Sequence, residues 1–341
     1  MKASRLAANL QGKQINRWKI VAKVEKLATQ TGGNFSYGYI AEDEAGMLFF
    51  FKALNFYDIF LRFGGNFATL ENLLREYRFE SELLEKCSAR KMKNVVTAVD
   101  KGEYREPDEF IPVPYLVFER AEGDLRSHPC MKVFDLELRL LLFKESVKGV
   151  SQLHSAQISH QDIKPSNVLV FATLLGKLAD LGRATVPGDD VPHNYDEHAG
   201  DPGYEPIELK YRHCSPDWAT RRFAADMFML GDLLCFLLRE VSYLAEFLVK
   251  IDSHHHPNVW GGTFEDALPY ILKTHSEIIA GLKSVVPACI ADRLTSLVGY
   301  LCYPEPEKRG HPRTLAEKYA RFSLERVVSD VDWMIQKLRF V

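Results

Sequence analysis

Three polar side chains stand close together between Ile158 and Val170, where a short apolar strand gives way to a turn. Asp162, Lys164 and Asn167 supply a carboxylate, an ammonium and a carboxamide. The carboxylate can accept a proton from a substrate hydroxyl, and the ammonium can neutralise charge on a moving phosphoryl group. The carboxamide oxygen can ligate a metal ion. These residue types at this spacing therefore predict phosphoryl transfer.

Two apolar helices are expected to hold this loop in place. The first has apolar residues every three or four positions from Leu136 to Val150 and runs directly towards the loop. The second begins near Asp226 and is apolar on nearly all sides, so it should be buried. We expect the Asp226 carboxylate to cap backbone N–H groups of the loop.

The loop sequence HQDIKPSN resembles the catalytic loop of eukaryotic-type Ser/Thr protein kinases, whose usual form is HRDxKPxN. The resemblance runs from about Trp18 to Phe322. It implies an α+β, bilobal protein-kinase-like fold, in which a small antiparallel β-sheet N-lobe with one helix is followed by a larger helical C-lobe. The implied divisions are an N-terminal extension at 1–17, an N-lobe at 18–121 and a C-lobe at 122–341.

The same resemblance implies a role for each polar residue of the loop. Asp162 would orient or deprotonate the acceptor hydroxyl, and Lys164 would offset charge in the transition state. Asn167 would hold Mg²⁺ together with Asp180, which opens a DLG triplet similar to the DFG triplet of the family. Leu169 would form the floor of the adenine pocket.

Lys52 closes the apolar strand FFFK and resembles the lysine that positions the ATP phosphates in the family. A buried ammonium needs an anionic partner. In the following helix Glu80 is the only charge on the inward stripe that runs from Leu73 to Leu84, so we expect it to pair with Lys52. Glu76, one turn earlier, is the alternative partner, and a solvated Glu80 is the other alternative.

The glycine-bearing turn before the second strand resembles the phosphate-binding loop of the family. Thr31 and Ser36 replace two of its three glycines, while Gly33 keeps one and Gly32 lies beside it. Small residues here let backbone N–H groups approach phosphate oxygens. A plain β-hairpin is the alternative for this motif taken alone.

The adenine pocket implied by the resemblance has an unusual pair of residues. Gly38 and Phe50 stand where the family has Val and Ala, so one side of the pocket loses volume and the other gains it. We hypothesise that Phe50 fills the space left by Gly38 and stacks on adenine; the alternative is that Phe50 blocks the nucleotide. Phe118 would be the gatekeeper, and the backbone of Glu119 and Ala121 would contact the adenine edge.

Two replacements concern the activation segment. Gln161 stands where the family has the arginine that meets a phosphorylated loop, so we predict a non-RD kinase whose activity does not require that phosphorylation. Asp201 stands where Ser/Thr kinases have a threonine. Its carboxylate should repel Asp162 unless Lys164 lies between them, and it should raise the pKa of a neighbouring carboxylate.

Glu208 and Arg309 resemble the buried ion pair that anchors the activation segment in protein kinases. Sugar and aminoglycoside kinases of related fold generally lack this pair, so its presence favours a protein substrate. A lysine two residues after Asp162 is the Ser/Thr pattern. The expected enzyme is a protein serine/threonine kinase, or transferase, that uses ATP and Mg²⁺. The alternatives are a catalytically weak kinase-like scaffold and a kinase that acts on a small molecule.

Composition limits the other classes of function. The chain has 341 residues, 43 Lys plus Arg, 46 Asp plus Glu and a formal net charge of -3, so no basic excess indicates nucleic acid or an anionic membrane as a partner. The six cysteines form no CxxC pair, which gives no sign of a zinc site. The sequence shows neither a secretory signal nor a membrane-spanning stretch, so we expect a cytoplasmic location.

Overall fold

The computed structural model describes residues 6–25, 36–62, 66–109, 111–128, 135–172, 175–317 and 320–340. These residues form two compact units. Unit 1 comprises the described residues up to Met92 together with Val96–Glu122. Unit 2 comprises Lys93–Val95 together with the described residues from Gly123 onward.

Unit 1 is built on an antiparallel sheet with helices beside it. Its described elements are β1 (Gln14–Ile15), β2 (Trp18–Lys23), β3 (Ser36–Glu42), β4 (Leu48–Leu54), α1 (Phe56–Arg62), α2 (Phe67–Ala89), β5 (Ala98–Tyr104) and β6 (Val113–Glu119). The strands form one six-stranded sheet in the order β1-β2-β3-β4-β6-β5. Every neighbouring pair is antiparallel. Helix α2 begins at the cap Asn66, whose side chain accepts from the N–H of Thr69 at 2.9 Å.

Alternation along β4 separates the two faces of this sheet. Phe51 is fully buried in a core cluster with Tyr39 and Tyr115. Because successive side chains of a strand point to opposite faces, Phe50 and Lys52 project from the other face. The core therefore takes one face, and the residues expected to bind nucleotide share the opposite face.

The N-terminal segment belongs to the core of unit 1. Leu6, Leu10 and Ile15 are buried in the same cluster, and β1 pairs with the edge of the sheet. The Tyr39 hydroxyl donates to the carbonyl of Ala7 at 2.7 Å. From Leu6 onward this segment is thus a structural part of the sheet, where the sequence suggested a polar extension. Its apolar residues are few and widely spaced, so no periodic pattern reveals their burial.

Unit 2 is mainly helical. Its described elements are β7 (Gly123–Asp124), α3 (Leu136–Ser155), β8 (Val168–Val170), β9 (Gly176–Leu178), α4 (Ile207–Lys210), α5 (Trp218–Arg239), α6 (Tyr243–Lys250), α7 (Phe264–Leu282), α8 (Ala288–Leu301), α9 (Pro312–Leu315) and α10 (Glu325–Arg339). Strands β7, β8 and β9 form a small sheet in that order. None of the helices in the described part of the chain is long and apolar enough to cross a lipid bilayer.

Helix α5 is the centre of unit 2. It packs against α3, α6 and α8, and most of its residues are buried. Its N-cap is Asp217, whose carboxylate accepts from the N–H of Thr220 at 2.8 Å. This burial agrees with the apolar pattern of the sequence. It also means that the few polar residues on α5 are held in fixed positions.

Asp232 is a fully buried carboxylate on α5. Its Oδ1 accepts from the backbone N–H of Leu244 at 2.7 Å, at the start of α6. Burial raises the pKa of Asp232 to about 7, against the lowering effect of its hydrogen bonds. The folded protein therefore favours the neutral carboxyl, and stability falls as the pH rises from the ordinary pKa of the carboxyl towards 7, because only the unfolded carboxyl ionises in that range.

We predict that Asp232→Asn flattens the pH dependence of stability. The wild type should lose up to about 4 kcal/mol of unfolding free energy from this group as the pH rises from its ordinary pKa to above 7, because the unfolded carboxyl ionises earlier than the folded one. Urea unfolding at pH 5 and pH 8 measures the part of this loss that falls above pH 5, about 3 kcal/mol. Asp217→Asn is the control, because hydrogen bonds with Thr220 lower the pKa of Asp217 and its contribution is lost only on acidification. A slope that persists in Asp232→Asn would assign the effect to another group.

Candidate functional site

Both carboxylate oxygens of Asp162 are held in place. Oδ1 accepts from the backbone N–H of Asp201 at 3.1 Å, and Oδ2 accepts from Asn167 Nδ2 at 2.8 Å. Oδ2 also lies 3.0 Å from the Lys164 ammonium. Burial raises the pKa of Asp162; Lys164 opposes this rise and the charge of Asp180 adds to it. A fixed carboxylate of raised pKa is suited to accept a proton.

The Lys164 ammonium lies between two carboxylates, 3.0 Å from Asp162 Oδ2 and 3.3 Å from Asp201 Oδ2. Burial lowers the pKa of Lys164, but the two carboxylates outweigh burial and the net shift is upward. The charged lysine thus lies between the two carboxylates. This position of Lys164 is the condition named from the sequence as removing the repulsion between Asp201 and Asp162. The expectation that Asp201 raises the pKa of a neighbouring carboxylate needs correction, because the like charge that raises the pKa of Asp162 is Asp180.

Gly200 lets the chain pass close to the catalytic loop. Its φ of 59° lies in the left-handed region, and a Cβ at this position would stand 2.7 Å from Asp162 Oδ1. Only glycine meets both requirements without strain. The approach brings the N–H of Asp201 into hydrogen-bond range of the Asp162 carboxylate.

Asn167 and Asp180 present oxygen atoms in the same unit. Asn167 Nδ2 donates to the carbonyl and to Oδ2 of Asp162, at 2.8 Å each, so Oδ1 of the amide is the side-chain atom that can ligate a cation. Asp180 has a left-handed backbone with φ 65° and precedes a short 3-10 turn, Leu181–Arg183. Leu181 is buried and keeps an apolar contact at this position.

His160 connects the loop to the residue before Asp180. Its Nδ1 accepts from the N–H of Asp162 at 3.3 Å, and its Nε2 lies 3.1 Å from the carbonyl of Ala179. Because Nδ1 accepts, Nε2 must carry the proton and donate. No role was assigned to His160 from the sequence; its place two residues before Asp162 is the signal that could have indicated this link.

Asp226 of α5 lies beneath the loop and is fully buried. Its Oδ2 accepts from the N–H of His160 and the hydroxyl of Ser159, and its Oδ1 accepts from the N–H of Gln161, all at 2.8 Å. His154 Nε2 lies 2.9 Å from Oδ2. Burial acts to raise the pKa of Asp226, but the contacts with His154 and the loop outweigh it and lower the pKa. The predicted backbone cap is confirmed.

In unit 1 the predicted ion pair of Lys52 is confirmed. Lys52 Nζ and Glu80 Oε1 are 2.9 Å apart, and the side chains are 17% and 9% exposed. Glu80 lies on the buried stripe of α2 with Leu73 and Leu84. The structure thus pairs Lys52 with the buried Glu80 and leaves Glu76 exposed, and it excludes a solvated Glu80.

The Phe50 ring occupies the space beside Gly38. A Cβ on Gly38 would lie 2.8 Å from Phe50 Cε2 and 2.9 Å from Cζ, so the expected exchange of volume between these positions is confirmed. Phe118 pairs directly with Phe50 across β4 and β6. Opposite residues of antiparallel strands share a face, so both aromatic rings project on the side of Lys52.

The remaining residues expected to contact nucleotide fall in several places. Ser36 is the first residue of β3 and Glu119 is the last of β6, and Ala121 follows in the same unit. Leu169 is the central residue of β8 in unit 2. The rest of the expected glycine loop lies outside the described residues: Thr31, Gly32 and Gly33.

The predicted pair of Glu208 and Arg309 is confirmed and is bidentate. Arg309 Nη1 donates to Glu208 Oε1 at 2.8 Å, and Nη2 donates to Oε2 at 2.6 Å. Arg309 is fully buried, and its remaining hydrogen bonds go to the carbonyls of Ala224, Tyr303 and Pro304. The pair joins α4 to the turn after α8 within unit 2.

A model of the protein kinase domain matches residues 68–318, more than half of the 341-residue chain. The chain belongs to the protein kinase domain family. The antiparallel sheet of unit 1 and the helices of unit 2 are those of the bilobal protein-kinase fold, so the predicted α+β fold class is confirmed. Lys52 and the first four strands of this kinase domain precede the matched region.

Several protein kinases are similar to this kinase domain. A receptor-like protein kinase of Arabidopsis thaliana is 29% identical over 51% of the chain and 20% of its own length. Mitogen-activated protein kinase 16 of Oryza sativa subsp. japonica is 28% identical over 48% of the chain and 31% of its own length. A calcium/calmodulin-dependent protein kinase kinase of Caenorhabditis elegans is 26% identical over 54% of the chain and 32% of its own length. The chain thus spans at most about a third of these relatives.

We predict that breaking the Glu208–Arg309 pair destabilises the kinase domain more than removing both partners. Arg309→Met leaves a buried, unpaired carboxylate and should cost about 3–5 kcal/mol of unfolding free energy, whereas Glu208→Leu combined with Arg309→Met should recover part of that loss. Urea unfolding at neutral pH measures both. Lys308→Met is the matched control, because Lys308 pairs with Glu305 at the surface. Additive losses in the double variant would contradict the prediction.

Proposed function

We propose that this kinase domain transfers the γ-phosphoryl group of ATP to a Ser or Thr hydroxyl of a protein. The observation that carries the proposal is the geometry of Asp162, whose two oxygens are fixed by Asn167, the Asp201 N–H and Lys164. A carboxylate held in this way is prepared to orient a hydroxyl and to accept its proton. Membership of the protein kinase domain family supports the same reaction.

Lys164 is assigned to charge stabilisation during transfer. Its ammonium touches the Asp162 carboxylate, and its upward pKa shift keeps it charged near neutral pH. A fixed positive charge beside the reacting hydroxyl favours a transition state in which negative charge spreads over the phosphoryl oxygens. Asp201 fixes the other side of the ammonium.

Asn167 and Asp180 are assigned to Mg²⁺. The fit rests on donor chemistry, because Asn167 Nδ2 is already committed to Asp162 and its Oδ1 remains for a hard cation. Magnesium is usually bound by one or two protein oxygens together with phosphates and water. When bound, the ion would neutralise charge on the nucleotide phosphates. Within the described residues no cluster of three His, Cys, Asp or Glu side chains would hold a metal by itself.

Unit 1 is assigned to nucleotide binding. Lys52, held by Glu80, would position the phosphates, while Phe50, beside Gly38, would stack on adenine. The other contacts proposed in unit 1 are those of the gatekeeper, the following backbone and the glycine loop: Phe118, Glu119, Ala121, Ser36, Thr31, Gly32 and Gly33. Leu169, to which the resemblance gives the role of pocket floor, belongs to unit 2.

A protein substrate is favoured by two features of unit 2. The buried pair of Glu208 and Arg309 anchors the end of the activation segment, a device that small-molecule kinases of related fold generally lack. Lys164 follows Asp162 at the spacing typical of Ser/Thr kinases. The second candidate is a catalytically weak scaffold. Asp201 in place of threonine favours the scaffold, but the pairing of Asp201 with Lys164 weakens this argument against catalysis.

We predict that Asp162→Asn strongly slows transfer and leaves MgATP binding intact. Loss of the base should reduce kcat by about 10²–10⁴-fold. Transfer from labelled ATP to protein acceptors and to sugar or aminoglycoside acceptors measures activity, and calorimetry measures binding. Asp332→Asn is the control, since Asp332 pairs with Lys144 at the surface.

Three results of that experiment would redirect the proposal. MgATP binding without transfer by the wild type would support the scaffold. Transfer only to small acceptors would support a small-molecule kinase. Transfer at the wild-type rate in Asp162→Asn would show that Asp162 is not the general base.

We predict that Phe50→Ala weakens ATP binding by about tenfold, because stacking of a base on an aromatic ring contributes about 1–3 kcal/mol. Titration calorimetry with MgATP measures the change. Phe67→Ala is the control, because Phe67 is an exposed phenylalanine in the same unit. Tighter binding in Phe50→Ala would show that the ring obstructs the pocket.

A further inference from the structure

Gln161 and Arg222 form a buried bridge beneath the catalytic loop. Both residues are 2% exposed. Gln161 Oε1 accepts from Arg222 Nη1 at 3.0 Å, while Gln161 Nε2 donates to the hydroxyl of Ser159 and to the carbonyl of Arg222. A carboxamide can do both because it carries a donor and an acceptor. An arginine at position 161 would instead place two guanidinium groups against each other.

The other terminal nitrogen of Arg222 reaches the activation segment, which we define as residues 184–208. Nη2 donates to the carbonyls of His193, Asn194 and Asp196 at 2.9, 2.7 and 3.1 Å. His193 has a left-handed backbone with φ 61°, in the turn that presents these carbonyls. The bonded partners of the guanidinium are therefore neutral oxygens of the protein itself, so a charge on α5 holds the segment.

The same segment is tied to the catalytic loop near both of its ends. Thr185 and Ser159 exchange two backbone hydrogen bonds of 2.9 Å. Near the other end, the N–H of Asp201 donates to Asp162 Oδ1. Arg222 holds the middle of the segment, so its loss should let Asp201 move away from Asp162 while the start of the segment stays attached.

We propose that Arg222 is the positioning residue that orders the activation segment, acting through Gln161 and three peptide carbonyls in place of a phosphate. Donation from a charged nitrogen makes these hydrogen bonds stronger than neutral ones, and burial protects them from screening by salt. The inference rests on the proposed function for its effect on catalysis, but not for its effect on the order of the segment. It gives the predicted independence from phosphorylation a named structural cause.

Amide hydrogen exchange of peptides from residues 186–206 tests the order of the segment. Arg222→Ala should speed this exchange about tenfold or more, and Arg222→Lys should do the same because one ammonium cannot span Gln161 and three carbonyls. Gln161→Arg should also speed it, through repulsion between two guanidinium groups. The matched control is Arg139→Ala, which removes a mostly buried guanidinium that donates to the carbonyl of Leu237 on the far part of α5.

Steady-state kinetics tests the effect on catalysis. Arg222→Lys should lower kcat about tenfold and leave KM for ATP unchanged, because the variant misplaces the acceptor side of the site only. Phosphatase treatment of the wild type should change neither kcat nor exchange. Thermal unfolding of each variant identifies general loss of the fold, and in that event Arg222→Lys and Gln161→Arg are compared instead of Arg222→Ala.

The outcomes separate the two proposals. The role of Arg222 would be overturned if residues 186–206 were as well protected from amide hydrogen exchange in Arg222→Lys as in Arg139→Ala. Protection in the wild type that disappears after phosphatase treatment would overturn it as well. Absence of transfer by the wild type would reject the proposed function, and the exchange experiment would still decide whether Arg222 orders the segment.

Discussion

The buried carboxylate of Asp226 is the constraint on which the proposed catalytic site depends. A charge in the core must be matched by donors, and the loop supplies them from Ser159, His160 and Gln161. The loop can donate in this way only in a bent conformation, with Gln161 at a positive φ. The position of Asp162 follows directly. The Asp162 carboxylate is thus located by the packing of a helix and not by the flexibility of a loop.

Helix α5 extends this control to the surrounding chain. From one buried turn it fixes the catalytic loop through Asp226, the activation segment through Arg222 and the Glu208 anchor through the carbonyl of Ala224, which accepts from Arg309. The three attachments fall within five residues of helix, so they cannot shift independently. Small movements of α5 would therefore act on the acceptor side of the site as a whole.

Two contacts of this arrangement could be predicted from the sequence, because each involves a single charged residue in an apolar stretch. Lys52 with Glu80 and Asp226 on α5 are of this kind, and both contacts are present. Arg222 gave no such signal, since an arginine near a helix start is usually solvated and its partners are backbone carbonyls. The burial of Leu6 was equally hidden, because its contacts come from strands far along the chain.

The contact between Gly38 and Phe50 has a consequence for the ancestry of this pocket. A lineage that acquired the phenylalanine while a larger side chain still stood at position 38 would have had to turn the ring away, so shrinkage at 38 is the easier first step. The two positions should then vary together among descendants. Both positions precede residue 68, where the match to the family model begins.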